Sequence, residues 1–148
     1  MAKTRKRQRG GQIEGVKFSG KLNVGFGPIQ AEGQNINQKK TIEKPLVKWL
    51  KQDGIYYTIV CVDPDAAAKS WLHWLVINCE KESEGTELVK WAPPTPPSGT
   101  HTYYFCLFSH AYKISPDVPA QRGYFNLAEF SKFNGLNPLR VATIRVSK

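Results

Sequence analysis

Three runs of apolar, β-branched and aromatic side chains, Ile55 to Val62, Trp71 to Cys79 and Tyr103 to Phe108, constrain this chain more than any other feature. None approaches the roughly 20 residues a membrane span requires. Each has strand length and is bounded by turn formers. A strand that is apolar at nearly every position must be covered on both faces, as at the centre of a sandwich. Several such segments in one chain predict a fold built around a well-buried sheet.

The rest of the pattern extends that sheet. Leu22, Val24 and Phe26 alternate as a half-buried strand before Gly27-Pro28, and Pro45 to Leu50 reads as another. Gln52-Asp53-Gly54 then predicts a hairpin turn, since glycine takes positive φ without penalty. Residues 30 to 44 are polar and irregular, with Ile36 and Ile42 as anchors. Four prolines between Trp91 and Pro97 exclude helix or central strand there. Residues 109 to 123, with Pro116 and Pro119, form a second long loop. A short helix is expected at Leu127 to Phe133, with Asn126 as N-cap, Glu129 at its third position and Gly135 past its end. Leu127, Phe130 and Phe133 are expected to face the core. Val141 to Val146 closes the chain as a strand. The fold class expected is all-β, an antiparallel β-sandwich with one short helix and long loops.

At 148 residues the chain is large enough to bury a core without disulfides or a metal. Cys61, Cys79 and Cys106 sit among apolar residues, and their odd number predicts reduced, buried thiols in the cytosol or nucleus. Net charge is +9, of which Lys3, Arg5, Lys6, Arg7 and Arg9 supply five. No apolar segment follows that basic run, so it is not a secretory signal. It reads as a solvated tail, a nuclear address, or a patch for nucleic acid or anionic membrane. The expected organisation is a basic arm over residues 1–15 and one folded domain over 16–148.

Residues that carry chemistry cluster where the buried runs begin and end. Asp63-Pro64-Asp65 closes the first, His73 sits within the second, and Pro96-Pro97-Ser98-Gly99-Thr100-His101-Thr102-Tyr103 leads into the third. Taken singly these are a turn, a core histidine and a rigid loop. Together they predict a small polar pocket at a sheet rim. By strand parity His73 shares a face with Leu75, Ile77 and Cys79, and His101 with Tyr103, Phe105 and Leu107. Burial disfavours a charged imidazole and a nearby carboxylate favours it. The two aspartates are therefore expected to orient and charge the histidines. Ring N–H groups, the Tyr103 hydroxyl and backbone N–H groups around Gly99 would then line that pocket with hydrogen-bond donors, while Pro97 keeps the loop open.

These motifs together resemble the phosphatidylethanolamine-binding protein family. The shared features are the D-P-D strand end, the histidine-bearing run His73-Trp74-Leu75-Val76-Ile77-Asn78, and the P-P-x-G-x-H-x-Y segment. The Leu22-x-Val24-x-Phe26-Gly27 strand, Lys44-Pro45-x-Val47-x-Trp49 and Arg122-Gly123-Tyr124-Phe125 are similar too. The resemblance implies an antiparallel β-sandwich whose anion pocket is lined by Asp63, Asp65, His73, Pro97, His101 and Tyr103. Such a pocket would accept phosphate, acetate-like anions or a phospholipid head group. The implied role is regulatory, as in kinase or protease inhibition. The chain departs from the family pattern at Ala67, where proline commonly stands, and at Thr102, where arginine would add a bidentate donor. The Asp65–Trp71 loop is short, and no helix is expected after the last strand.

The expected function is therefore non-enzymatic binding of a phosphate-type anion or phospholipid head group, with a regulated protein partner and no cofactor or metal. The alternative is a nucleic-acid-associated protein that binds through the arm, with the sandwich as scaffold. Catalysis fits poorly. Ser98 lies outside any G-x-S-x-G elbow, and Asp63, Asp65, His73 and His101 lack a recognisable metal-ligand spacing.

Overall fold

The long buried run becomes strand β7, Tyr56–Asp63, and its side chains serve two cores. Tyr57, Ile59 and Cys61 enter one, and Val60 and Val62 enter the other. A strand placed this way needs apolar residues at nearly every position, as its sequence provides, and the exception inside it, Thr58, is buried with its hydroxyl 2.9 Å from His110 Nε2. The computed structural model describes residues 11–148; Lys3, Arg5, Lys6, Arg7 and Arg9 lie outside the described residues.

In chain order the other strands are β1 (Gln12–Ile13), β2 (Val16–Lys17), β3 (Gly20–Lys21), β4 (Asn23–Phe26), β5 (Ile29–Gln30) and β6 (Leu46–Lys48). After β7 come β8 (Trp71–Cys79), β9 (Thr86–Val89), β10 (Thr100–His110), helix α1 (Leu127–Phe133) and β11 (Asn137–Ser147). The large sheet has the order β3-β11-β10-β7-β8-β9, and the small sheet has the order β5-β4-β6. Pairing is antiparallel except between β3 and β11. The result is an antiparallel β-sandwich, as the buried runs required.

Leu22, Val24 and Phe26 meet Tyr103, Phe105, Leu107 and Ile144 between the two sheets. The opposite face of the large sheet is covered by the β1–β2 hairpin, through Ile13 and Val16, and by Leu127 and Leu136 around α1. Structured residues thus begin before Val16, since Ile13 is part of that second core. The three cysteines are free and buried. Burial pushes the Cys79 thiol up to about 11, so it stays protonated near neutral pH. Among the described residues no helix is long and apolar enough to cross a membrane.

Helix α1 has its expected bounds, and the Asn126 side chain accepts the Glu129 N–H at 2.9 Å. Phe133, expected to face the core, is instead 87% exposed, and Ser131 is buried. At about 100° per residue, position 131 falls near Leu127 while position 133 falls well off that face. Ile42, expected as an anchor, is exposed as well; Thr41 is the buried residue there. The Gln52-Asp53-Gly54 turn forms, with Gly54 at φ +75°, but it joins no hairpin. Strand β6 pairs with β4 in the small sheet, and β7 belongs to the large one. The turn carries the chain from one layer to the other.

Candidate functional site

Strand β7 ends at Asp63, opposite Trp71 at the start of β8. Strand β10 overruns that end: Thr100 to Tyr103 pair with β11 alone, and pairing with β7 starts only at Tyr104. The aspartates fill the missing ladder. Asp63 Oδ1 accepts the Asp65 N–H at 2.8 Å, closing the turn, and Asp65 Oδ2 accepts the Thr102 N–H at 2.8 Å. Asp63 Oδ2 lies 2.6 Å from His101 Nδ1, with both side chains largely buried. Asp63 thus fixes the orientation of the His101 ring. The second carboxylate holds strand backbone and no histidine, and the N–H of Thr102 supplies its donor.

His73 reaches the same rim by a different device. Cys61 pairs with Trp74 and Val62 with Leu72, so His73 is an extra residue opposite no partner, a β-bulge. The bulge breaks the parity expected from the sequence. Leu75 and Ile77 face the α1 side of the sheet, whereas His73 packs edge-on to Tyr103 at 5.1 Å and to Trp71 at 4.7 Å. A second irregularity at Asn78, with φ +59°, turns Cys79 back to the inter-sheet core. His101 keeps its expected parity, because Tyr103, Phe105 and Leu107 all face that core.

His73 Nδ1 lies 2.6 Å from the Ala92 carbonyl, which can only accept, so Nδ1 carries the proton. Burial holds the His73 pKa below its ordinary value; Arg122 and His101 push the same way, against Asp63 and the carbonyl. The ring is therefore neutral near pH 7, and its Nε2 has no partner among the described residues. Arg122 donates to the carbonyls of Leu72, His73 and Lys90, and stacks over Trp71. It pins the bulge from behind. Tyr103 is fully buried and its hydroxyl has no hydrogen-bond partner among the described residues. Burial and the nearby Asp63 push its pKa upward, so it is a neutral donor.

These groups enclose a cavity of about 220 Å³ lined by Asp63, Ala66, Trp71, His73, Thr95, Pro96, Pro97, His101 and Tyr103. The volume lies below the roughly 300 Å³ at which drug-sized pockets begin. Five residues singled out from sequence, Asp63, His73, Pro97, His101 and Tyr103, converge on it. Asp65 and Gly99 do not line it. Gly99 forms the turn into β10 with φ +63°, and its carbonyl accepts the Lys148 N–H. Ser98 is absent from the wall, and no group of three potential metal ligands occurs among the described residues. Sequence reasoning gave Trp71 no site role, although it stands two residues before His73 at a strand end.

An antiparallel sandwich with an aspartate-oriented histidine, a bulged histidine and a buried tyrosine at one sheet rim defines a class of β-sandwich domain. A sequence profile described as phosphatidylethanolamine-binding protein matches residues 5–144, and the chain belongs to that family. It is 32% identical to Protein TWIN SISTER of FT from Arabidopsis thaliana over 126 residues, covering 78% of this chain and 72% of that protein. A carboxypeptidase Y inhibitor complexed with its cognate proteinase has a similar fold, with a TM-score of 0.78 and 18% identity. That match covers 90% of this chain and 85% of the inhibitor chain. The phosphatidylethanolamine-binding protein of Plasmodium vivax gives a TM-score of 0.71 at 15% identity, over 92% and 89% of the two chains. At these identities the two structures establish the fold.

Proposed function

We propose that the rim pocket binds a phosphate-type oxyanion, free or as a phospholipid head group, and that the protein regulates a protein partner without catalysing a reaction. The observation that carries this reading is the convergence of His73, His101 and the unpartnered Tyr103 hydroxyl on one small cavity. A buried hydroxyl without a partner forfeits a hydrogen bond that a ligand oxygen would restore. The His101 ring, with Nδ1 committed to Asp63, has its Nε2 left for a ligand. Neutral His73 becomes an N–H donor at Nε2, beside the Tyr103 hydroxyl, once it takes up a proton, and a bound anion favours that uptake. Asp63 contributes by orientation, and its carboxylate already serves the Asp65 N–H and the His101 ring. The regulatory half of the proposal draws on the related inhibitor fold, which acts on another protein.

The test is a ¹⁵N NMR titration of the His73 and His101 rings with glycerophosphoethanolamine and, separately, inorganic phosphate. The diester keeps one charge across the pH range, so any pH dependence belongs to the protein. Saturable shifts at both rings are expected, lost in His73→Ala, with affinity growing as the pH falls below about 6.5. A response to the diester alone identifies a head-group site, and a response to both identifies an oxyanion site. An affinity flat from about pH 5.5 to 8.5, or silence at both rings with either ligand, refutes the reading.

A further inference from the structure

The six-stranded sheet is faced by only three strands, and the mismatch leaves one side of the sandwich open. A cleft of about 310 Å³ lies there, with wall residues Lys44, Leu46, Val47, Trp49 and Lys51 on the β6 side. Its floor is Ile59, Trp74, Val76 and Cys79, and Glu84, Gly85 and Glu87 form the far lip. The rim pocket lies at the other end of β8. Both strands bordering the cleft, β6 and β9, are sheet edges. Strand β6 bonds β4 on one side, and no other backbone hydrogen bond among the described residues reaches residues 43–51. Its outer edge therefore offers unpaired N–H and C=O groups.

Three features set β6 apart from an ordinary edge. Of seven large apolar side chains exposed on the described surface, Ile42, Leu46 and Leu50 fall within this one short segment. The buried Trp49 Nε1–H, on a residue of the cleft wall, has no acceptor among the described residues. The segment also carries uncompensated positive charge. Lys44 pairs with Glu87 at 3.5 Å, but Lys48 and Lys51 have no carboxylate within ion-pair distance among the described residues. Lys51 instead lies over the Trp49 ring at 4.8 Å.

We propose that β6 and the adjoining cleft receive an extended, acidic segment of a partner protein, which adds a fourth strand to the small sheet. Alternation along β6 fixes the pattern. Val47 and Trp49 point inward and Leu46, Lys48 and Leu50 outward. An added strand would alternate likewise, placing one bulky apolar side chain over Val76 and Trp74 and carboxylates beside Lys48, while Lys51 on the cleft wall adds to the local positive charge. Its backbone or carboxylate oxygens supply the acceptor that Trp49 lacks. Charge selects this occupant over a second copy of the chain, since an antiparallel β6–β6 pairing centred on Val47 brings the two Lys48 side chains together diagonally across the seam. The same lysines guard the edge against self-association, as edge lysines commonly do.

The probe is a capped nonapeptide of alternating Glu and Val, titrated into the ¹⁵N-labelled full chain, with a Lys-Val counterpart as control. Expected are amide shifts confined to residues 44–51 and 84–89, new exchange protection in β6, and weaker binding at high salt. The Lys48→Glu/Lys51→Glu double variant should bind roughly tenfold more weakly. Unchanged His73 and His101 signals in that variant would show that its fold is intact, and Leu50→Ser serves as a second, uncharged test of the same surface. Equal binding of the basic peptide, shifts centred on the His73–His101 pocket, indifference to both variants, or no binding at millimolar peptide would overturn the proposal. So would concentration-dependent dimerisation of the free chain that is lost in the double variant.

Discussion

Deleting His73 outright tests the bulge more sharply than substituting it. The residues on either side already hold their correct partners, Leu72 opposite Val62 and Trp74 opposite Cys61. Removing the unpaired residue between them should let the ladder close with Leu72 still facing α1 and Trp74 still facing the small sheet. The losses are the Nδ1–H bond to Ala92 and the two bonds to the His73 carbonyl, from Ala92 N–H and Arg122. The three bonds at about 0.5–1.5 kcal/mol net each, with the ring contacts added, put the cost at roughly 2–5 kcal/mol. For a chain of this size that lowers Tm by roughly 5–15 °C. Deleting Leu75 is different. It removes a fully buried side chain, and the nearest rescue, absorbing the bulge, seats Trp74 in the Leu75 slot and His73 in the Trp74 slot. Leucine loss costs about 2–5 kcal/mol and tryptophan displacement a similar amount, together approaching a whole folding free energy of about 5–15 kcal/mol. Thermal denaturation and amide spectra of the two deletions should therefore separate a folded protein from an unfolded one. Equal damage from both would refute the bulge assignment.

Asp63→Asn keeps an acceptor for the Asp65 N–H but presents an amide to His101 Nδ1. The His101 ring should switch its proton to Nε2, visible in its ¹⁵N shifts, at a cost of about 1–2 kcal/mol; an unchanged Nδ1–H tautomer would contradict the pairing. Asp63→Ala leaves both donors unpaired and should cost more than the amide variant in the same melts. His73 and His110 are both held below the ordinary imidazole range, chiefly by burial. The unfolded chain thus protonates first, so stability is complete above about pH 6.5 and declines as pH falls through the window below it. Urea midpoints that stay level or rise between about pH 7 and 5 would reverse that sign. Gly85 sits at φ +86°, and an added Cβ would lie 2.5 Å from the Ile77 carbonyl oxygen and 2.8 Å from Cys79 Sγ. Gly85→Ala should lose about 1–3 kcal/mol from the backbone alone, and more from the collision; a melt within error of wild type would show that the β8–β9 turn relaxes freely.

What the sequence disclosed, and what it hid, follows from how strands encode their faces. Tyr57 to Val62 announced burial on both sides because only Thr58 interrupts its apolar and aromatic side chains, and Asn126 announced a helix start because its side chain caps Glu129. His101 could be placed by parity because β10 runs without a register shift from Thr100 to Leu107. His73 could not. A strand that is half polar reveals a slipped register, since the slip sends polar residues inward. Strand β8 is apolar on both faces, so inserting one residue leaves its hydrophobic pattern unchanged and the bulge silent. The same limit hid the layer change at Gly54, where a local turn signal carries no information about which sheet each flanking strand joins. Asp65 was misplaced for a different reason: a carboxylate one turn from the rim satisfies a backbone N–H as readily as an imidazole, and only the overrun of β10 past β7 decides between them. The residues of the pocket were therefore legible as a set, because strand ends collect them. Their division of labour was not, because it depends on one unpaired residue in β8 and a few unpaired residues in β10.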